Sequence, residues 1–175
     1  RLAHAIGYDS YDELREVCRK VLLEPQTALA DRASALVDAP LDETGSDSLF
    51  ARHGAAMLRN TQALLEGIDQ SALLETAHLL ANARRVTLVG ELSARAIVDY
   101  AAYVANMSLA GWAVLGRAGE SLSAELASLG PEDACIVLSF SPYATRSIEL
   151  AQHIRDQGVS VVVLTDNALS PVAAI

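Results

Sequence analysis

A chain of 175 residues with 51% hydrophobic and 20% charged residues has the composition of one good globular domain plus an appendage, which excludes a disordered tract. Its formal net charge of −9 excludes a chain that grips nucleic acid by overall electrostatics, so such a contact needs a local basic face. No stretch reaches the roughly twenty apolar residues of a membrane span and no signal peptide opens the sequence, which points to a cytoplasmic protein.

In chain order, residues 1–6 read as the tail of a helix closed by Gly7, and Ser10-Tyr-Asp-Glu13 reads as a capping box. The helix it opens presents Leu14, Val17, Cys18, Val21 and Leu22 and ends near Pro25. Residues 25–47, with Pro25, Pro40 and Gly45 among Asp and Ser, read as a linker. From Leu49 the spacing of Phe50, Met57, Thr61, Leu64 and Ile68 fits one helix face, a stripe suited to a core or a dimer seam. Asp69 can cap a second helix carrying Leu73, Leu74, Ala77, Leu80 and Ala81.

The pattern then changes to short apolar runs. Strands are expected at 86–89, 113–115, 135–139 and 159–164, with helices at 93–108, 121–129 and 145–157, the last closed by Gly158. Strands alternating with helices predict βαβ units, hence an α/β fold with a parallel, doubly wound sheet covered on both faces. Cys18 and Cys135 lie among apolar neighbours and read as buried thiols in a reducing compartment. His4, His53, His78 and His153 share no ligand spacing, so neither a metal nor another cofactor is expected.

The segment Cys135-Ile-Val-Leu-Ser-Phe-Ser-Pro-Tyr-Ala-Thr145 carries the most chemistry, followed by Thr165-Asp-Asn-Ala-Leu-Ser-Pro171. A strand ends in hydroxyl residues and passes into a helix, the arrangement in which backbone N–H groups and the helix dipole receive an anion. No His lies within ten residues upstream of Ser141, and His153 sits two turns into the helix, so the loop reads as a phosphate cradle and not as a nucleophile with its base. Ser141 and Ser93 are each either helix caps or ligand donors. Tyr143 either packs on the next strand or touches a ligand, and Asp166 and Ser170 read as turn formers. Gly90 permits a tight strand-to-helix turn.

The runs Ala83-Arg-Arg-Val-Thr-Leu-Val-Gly90, Ala127-Ser-Leu-Gly-Pro-Glu-Asp133, Ser139-Phe-Ser-Pro-Tyr143 and Thr165–Pro171 resemble the SIS (sugar isomerase) domain, in the version found in bacterial RpiR-family transcriptional regulators. The opening fifteen residues, Arg1 to Arg15, are similar to the end of that family's helix-turn-helix domain. The resemblance implies a partial helix-turn-helix domain at 1–24, a linker at 25–47, and a flavodoxin-like, three-layer αβα SIS domain at 48–175 that includes leading helices at 48–83. Arg1 is then a remnant of the DNA-reading helix. Both ends look cut: a fragment starting here is not expected to bind DNA specifically, and a five-stranded SIS sheet would lack its last strand, leaving 159–164 as an edge.

The resemblance further implies a regulator of carbohydrate-metabolism genes that senses a phosphorylated sugar, acts as a homodimer and is no enzyme. Its phosphosugar residues map onto Ser139, Ser141 and Thr145, with Ser93, Gly90 and Tyr143 beside them. Two positions depart from the family pattern. Pro142 stands where Gly is usual, suiting the first turn of a helix capped by Ser141, and Ala144 stands where Thr is usual, with Thr145 one step later. In the first loop, Gly90-Glu-Leu-Ser93 lacks the second Gly, and Glu91 repels an anion unless it binds sugar hydroxyls or points away. The alternative is a SIS-fold sugar-phosphate isomerase, which needs a general base, for which Glu91 and Glu120 are the strand-end candidates.

Overall fold

The computed structural model describes residues 48–117 and 121–175, together with Ser10, Asp12 and Arg15. The capping box at Ser10–Glu13, the linker, Arg1, Cys18 and Glu120 therefore lie outside what can be described in full. Two compact units are present, 1–67 and 68–175.

In the first unit, helix α1 spans Leu49–Gly67 and is capped by the Ser48 hydroxyl, which accepts from the Ala51 N–H at 3.1 Å. It buries none of its residues, so the Met57 and Leu64 stripe is not core. No helix among the described residues is long and apolar enough to cross a membrane.

The second unit opens with α2 (Gln70–Asn82), capped as expected by Asp69, whose carboxylate accepts from the Ser71 and Ala72 N–H groups. Four parallel strands follow, β1 (Val86–Gly90), β2 (Trp112–Val114), β3 (Ala134–Ser139) and β4 (Ser160–Thr165), in the order β2-β1-β3-β4. Between them run α3 (Ser93–Ala105), α4 (Leu122–Ala127) and α5 (Thr145–Asp156), and a 3₁₀ turn covers Pro171–Ala174.

Alternation along the central strands divides the core in two, the signature of a sheet covered on both sides. Leu88 and Leu138 face α3 through Ala94, Val98 and Ala102. Val89, Cys135 and Val137 face α5 through Leu150, Ala151 and Ile154. Cys135 is fully buried, and that burial pushes its thiol up to about 12. β4 lies at an edge of the sheet, with Leu164 half exposed.

Several boundaries move from the expected ones. α3 stops at Ala105, three residues early, because the Asn106 amide turns back to the Ala102 carbonyl (2.8 Å) and across to the Trp112 carbonyl (2.7 Å). The same anchor draws β2 one residue forward to Trp112. α4 is shorter than expected, with Ser121 outside it as the cap. Ser141 does not cap α5 and Pro142 does not occupy its first turn: the Ser141–Pro142 bond is cis, the loop runs on, and the cap position falls to Ala144.

Candidate functional site

The chain leaves β1 toward β2 on one side and leaves β3 toward β4 on the other, so the topological switch point lies between β1 and β3. Their ends are level, since Gly90 pairs with Leu138. Two helices start there, α3 after β1 and α5 after β3.

Those two starts differ from the others. α1, α2, α4 and the 3₁₀ turn each have a side chain, respectively Ser48, Asp69, Ser121 and Ser170, accepting from their first N–H groups. α3 begins at Leu92 and α5 at Ala144, neither of which offers a side-chain acceptor. An uncapped helix start leaves the positive end of the dipole facing outward, although the Ala94 and Arg95 N–H groups of α3 donate to the Glu91 and Leu92 carbonyls and the Ser147 N–H of α5 to the Ala144 carbonyl. Ser93 is thus the first residue of α3 and not its cap, and Thr145 is the first residue of α5.

The expected residues gather at this rim. Ser139 ends β3, 3% exposed; Ser141 and Tyr143 follow in the loop, half-buried; Thr145 opens α5, exposed. Gly90 and Ser93 lie on the neighbouring β1 loop. The hydroxyls of Ser93, Ser139, Ser141 and Thr145 make no hydrogen bond to the described residues. Gly90 is required for space, not for a left-handed turn: a Cβ there would meet the Ala94 carbonyl oxygen at 2.9 Å and the Val98 methyls at 3.0 Å. Leu92 stands in a glycine-like conformation instead, at φ 54°.

Three residues at the rim were not singled out as ligand residues from the sequence. Asp166 is more than a turn former: it accepts from the Ser141 N–H at 3.2 Å and the Tyr143 hydroxyl at 2.9 Å, tying the β4 loop to the β3 loop. Burial pushes its carboxyl up, but those hydrogen bonds outweigh burial and hold it below the usual range. Ser147 faces the sheet from the first turn of α5, on the buried side with Leu150, Ala151 and Ile154; its hydroxyl is buried without a partner. Arg146 pairs with Glu91 at 3.5 Å, so the β1 and β3 loops meet across the crevice. An apolar i, i+3, i+4 spacing was the only signal for Ser147, and hydroxyl residues do not register in it.

Two cavities lie away from this rim. One of about 280 Å³ follows β2, lined by Tyr103, Trp112 and Arg117; one of about 420 Å³ lies between α2 and the amino end of the sheet. The first is also lined by Asp99 and Asn106, but it lies along the carboxyl half of α3 and not at a helix start. Among the described residues no group of three His, Cys, Asp or Glu side chains is placed to hold a metal ion.

A parallel four-stranded sheet with flanking helices is an α/β fold of the class that binds ligands, where it does, at its switch point. The SIS domain matches residues 79–174, more than half the chain, and the chain belongs to that family. No curated protein matches it. Among solved structures it is similar to the sugar isomerase domain of an RpiR transcription factor from Sphaerobacter thermophilus, at 24% identity and TM-score 0.66, covering 73% of this chain and 71% of that one. It is also similar to the NanR protein of Vibrio vulnificus complexed with ManNAc-6P, at 19% identity and TM-score 0.55; the match covers 99% of this chain but only 57% of that one. A third, from Listeria monocytogenes and assigned as a sugar-phosphate isomerase, shares 14% identity with TM-score 0.54, covering 75% of this chain and 71% of that one. At these identities the likenesses speak to the fold.

Proposed function

We propose that this chain is the effector-sensing portion of a DNA-binding transcriptional regulator, in which the SIS domain takes up a phosphorylated sugar and thereby alters operator binding for genes of carbohydrate metabolism. The observation that carries the reading is the pair of uncapped helix starts flanked by Ser93, Ser139, Ser141 and Thr145, whose hydroxyls are all unspent. Such a rim offers neutral donors and two helix dipoles to a phosphoryl group, with Gly90 and Tyr143 shaping its sides. The NanR complex with ManNAc-6P supports a sugar phosphate as the effector, and the RpiR likeness supports a regulator.

On this reading residues 1–24 end a helix-turn-helix domain, Arg1 belongs to its DNA-reading helix, 25–47 link it to the SIS domain at 48–175, and the intact protein is a cytoplasmic homodimer. Exposed Leu58 and Leu65 on α1 support a pairing surface. The protein catalyses no reaction. The isomerase reading is supported by the likeness to the Listeria protein, and aldose–ketose turnover by the purified chain would favour it over a sensor.

The test is a thermal-shift panel of hexose, pentose and amino-sugar phosphates. A ligand bound only by the folded state raises the melting temperature. Ser139→Ala and Ser141→Ala should each remove most of the shift. A full shift in both variants places the ligand elsewhere.

A further inference from the structure

An ion pair joins the two lips of the crevice. Glu91 follows β1 and Arg146 is the second residue of α5, with Arg146 Nε 3.5 Å from Glu91 Oε1 and side chains 58% and 27% exposed. The pair is loose and partly in water, so it holds little energy and parts readily.

Arg146 stands where the α5 dipole is uncapped, and the backbone donors of the preceding loop are few. Pro142 has no N–H, and the Ser141 N–H already donates to Asp166 at 3.2 Å. The Ser147 hydroxyl is buried away from solvent. A guanidinium is the strongest phosphoryl donor on this first turn, able to offer two parallel N–H groups. Glu91 presents the opposite problem, because a carboxylate beside a bound dianion raises its energy unless something donates to it. Sugar hydroxyl or amine hydrogens are such donors.

We propose that ligand binding exchanges this pair: Arg146 turns from Glu91 to the phosphoryl oxygens, and Glu91 accepts hydrogen bonds from the sugar. Arg146 is then a phosphate-binding residue and Glu91 a specificity residue that rewards ligands bearing donors near the phosphoryl group. The proposal rests on the reading of this rim as a phosphosugar site. It adds that the charges of the two lips are paired with each other until a ligand separates them, and that Glu91 opposes a bare anion.

Calorimetric titration of the full chain separates the two ideas. The probes are inorganic phosphate and whichever sugar phosphate shifts the wild type most in the panel above. Arg146→Ala should weaken both about tenfold or more, as expected for loss of a charged hydrogen bond, and Arg146→Lys should recover part of it. Glu91→Gln should act with opposite signs, tightening inorganic phosphate severalfold while weakening the sugar phosphate. A merely structural Glu91 moves both probes the same way, and that result overturns the exchange, as does an Arg146→Ala variant that binds both like wild type. Unchanged thermal unfolding of the unliganded variants shows that the fold is intact. If the wild type binds neither probe, the phosphosugar reading itself falls and the exchange with it.

Discussion

The two ends of the same sheet are built on opposite terms. At the amino end, the Asp133 carboxylate, with no exposed side-chain surface, takes 2.9 and 2.7 Å hydrogen bonds from Arg84 and a 3.0 Å bond from the Gly130 N–H, with Arg85 at 3.4 Å. Arg84 holds that carboxyl below the usual carboxylate range. At the carboxyl end, two helices begin without side-chain caps and four hydroxyls find no hydrogen bond among the described residues. The backbone register is continuous from one end to the other, so the difference lies in the side chains and helix starts that flank the strands. The amino end commits its polar groups to stability; the carboxyl end keeps its groups in reserve. An unmet donor has a use only when something outside the chain meets it.

That contrast can be broken by substitution. The largest effect is expected from Asp133→Ala, which removes the buried acceptor of the Arg84 and Gly130 hydrogen bonds and should lower unfolding free energy by about 3 kcal/mol in urea titration. The same carboxylate gives a pH signature. Its folded value lies below its unfolded one, so its contribution is complete above about pH 4 and is lost as pH falls through the folded value. Asp133→Ala should flatten that acid limb; an unchanged limb assigns it to other carboxylates.

Gly90→Ala comes next, at about 2 kcal/mol, because the new Cβ is driven against the Ala94 carbonyl and Val98. Its measure is the shift of the urea midpoint at constant slope. Ser139→Ala should behave unlike either. With no hydrogen bond to lose, stability should stay within about 0.5 kcal/mol of wild type, while affinity for a sugar phosphate falls about tenfold. A variant that is destabilised but binds normally would reverse the assignment of that rim. The smallest change is a gain: Leu92→Gly relieves a positive φ at a residue 66% exposed, and about 1 kcal/mol of added stability is expected from thermal unfolding.

The strands and their helices were legible because hydrophobic alternation and β-branched runs are local properties. Val86–Val89 and Cys135–Ser139 announce themselves without reference to the rest of the chain, and Asp69 announces its helix. The candidate hydroxyls were legible too, since they punctuate those runs. What could not be read was pairing across distance. Asp166 and Tyr143 are 23 positions apart, and Glu91 and Arg146 lie on opposite sides of the switch point; only the folded sheet brings each pair together. The helix from Thr145 is where the sequence puts it, but its cap is not, because Ser141-Pro142 has the composition of a helix opening and sits in a loop held by the β4 end. Gly90 reads from the sequence as a turn glycine, but its reason is the closeness of α3, which a backbone-conformation argument cannot supply.

Cys135 sits at the seam between the two ends, sealed beneath α5 with its proton held tightly. A thiol in that position reacts with alkylating reagents only during excursions that lift the helix from the sheet. Its labelling rate, with Cys18 replaced by serine, is therefore a clock for those openings. Run with and without an effector, the clock would report how firmly a molecule at the rim clamps the layer beneath it.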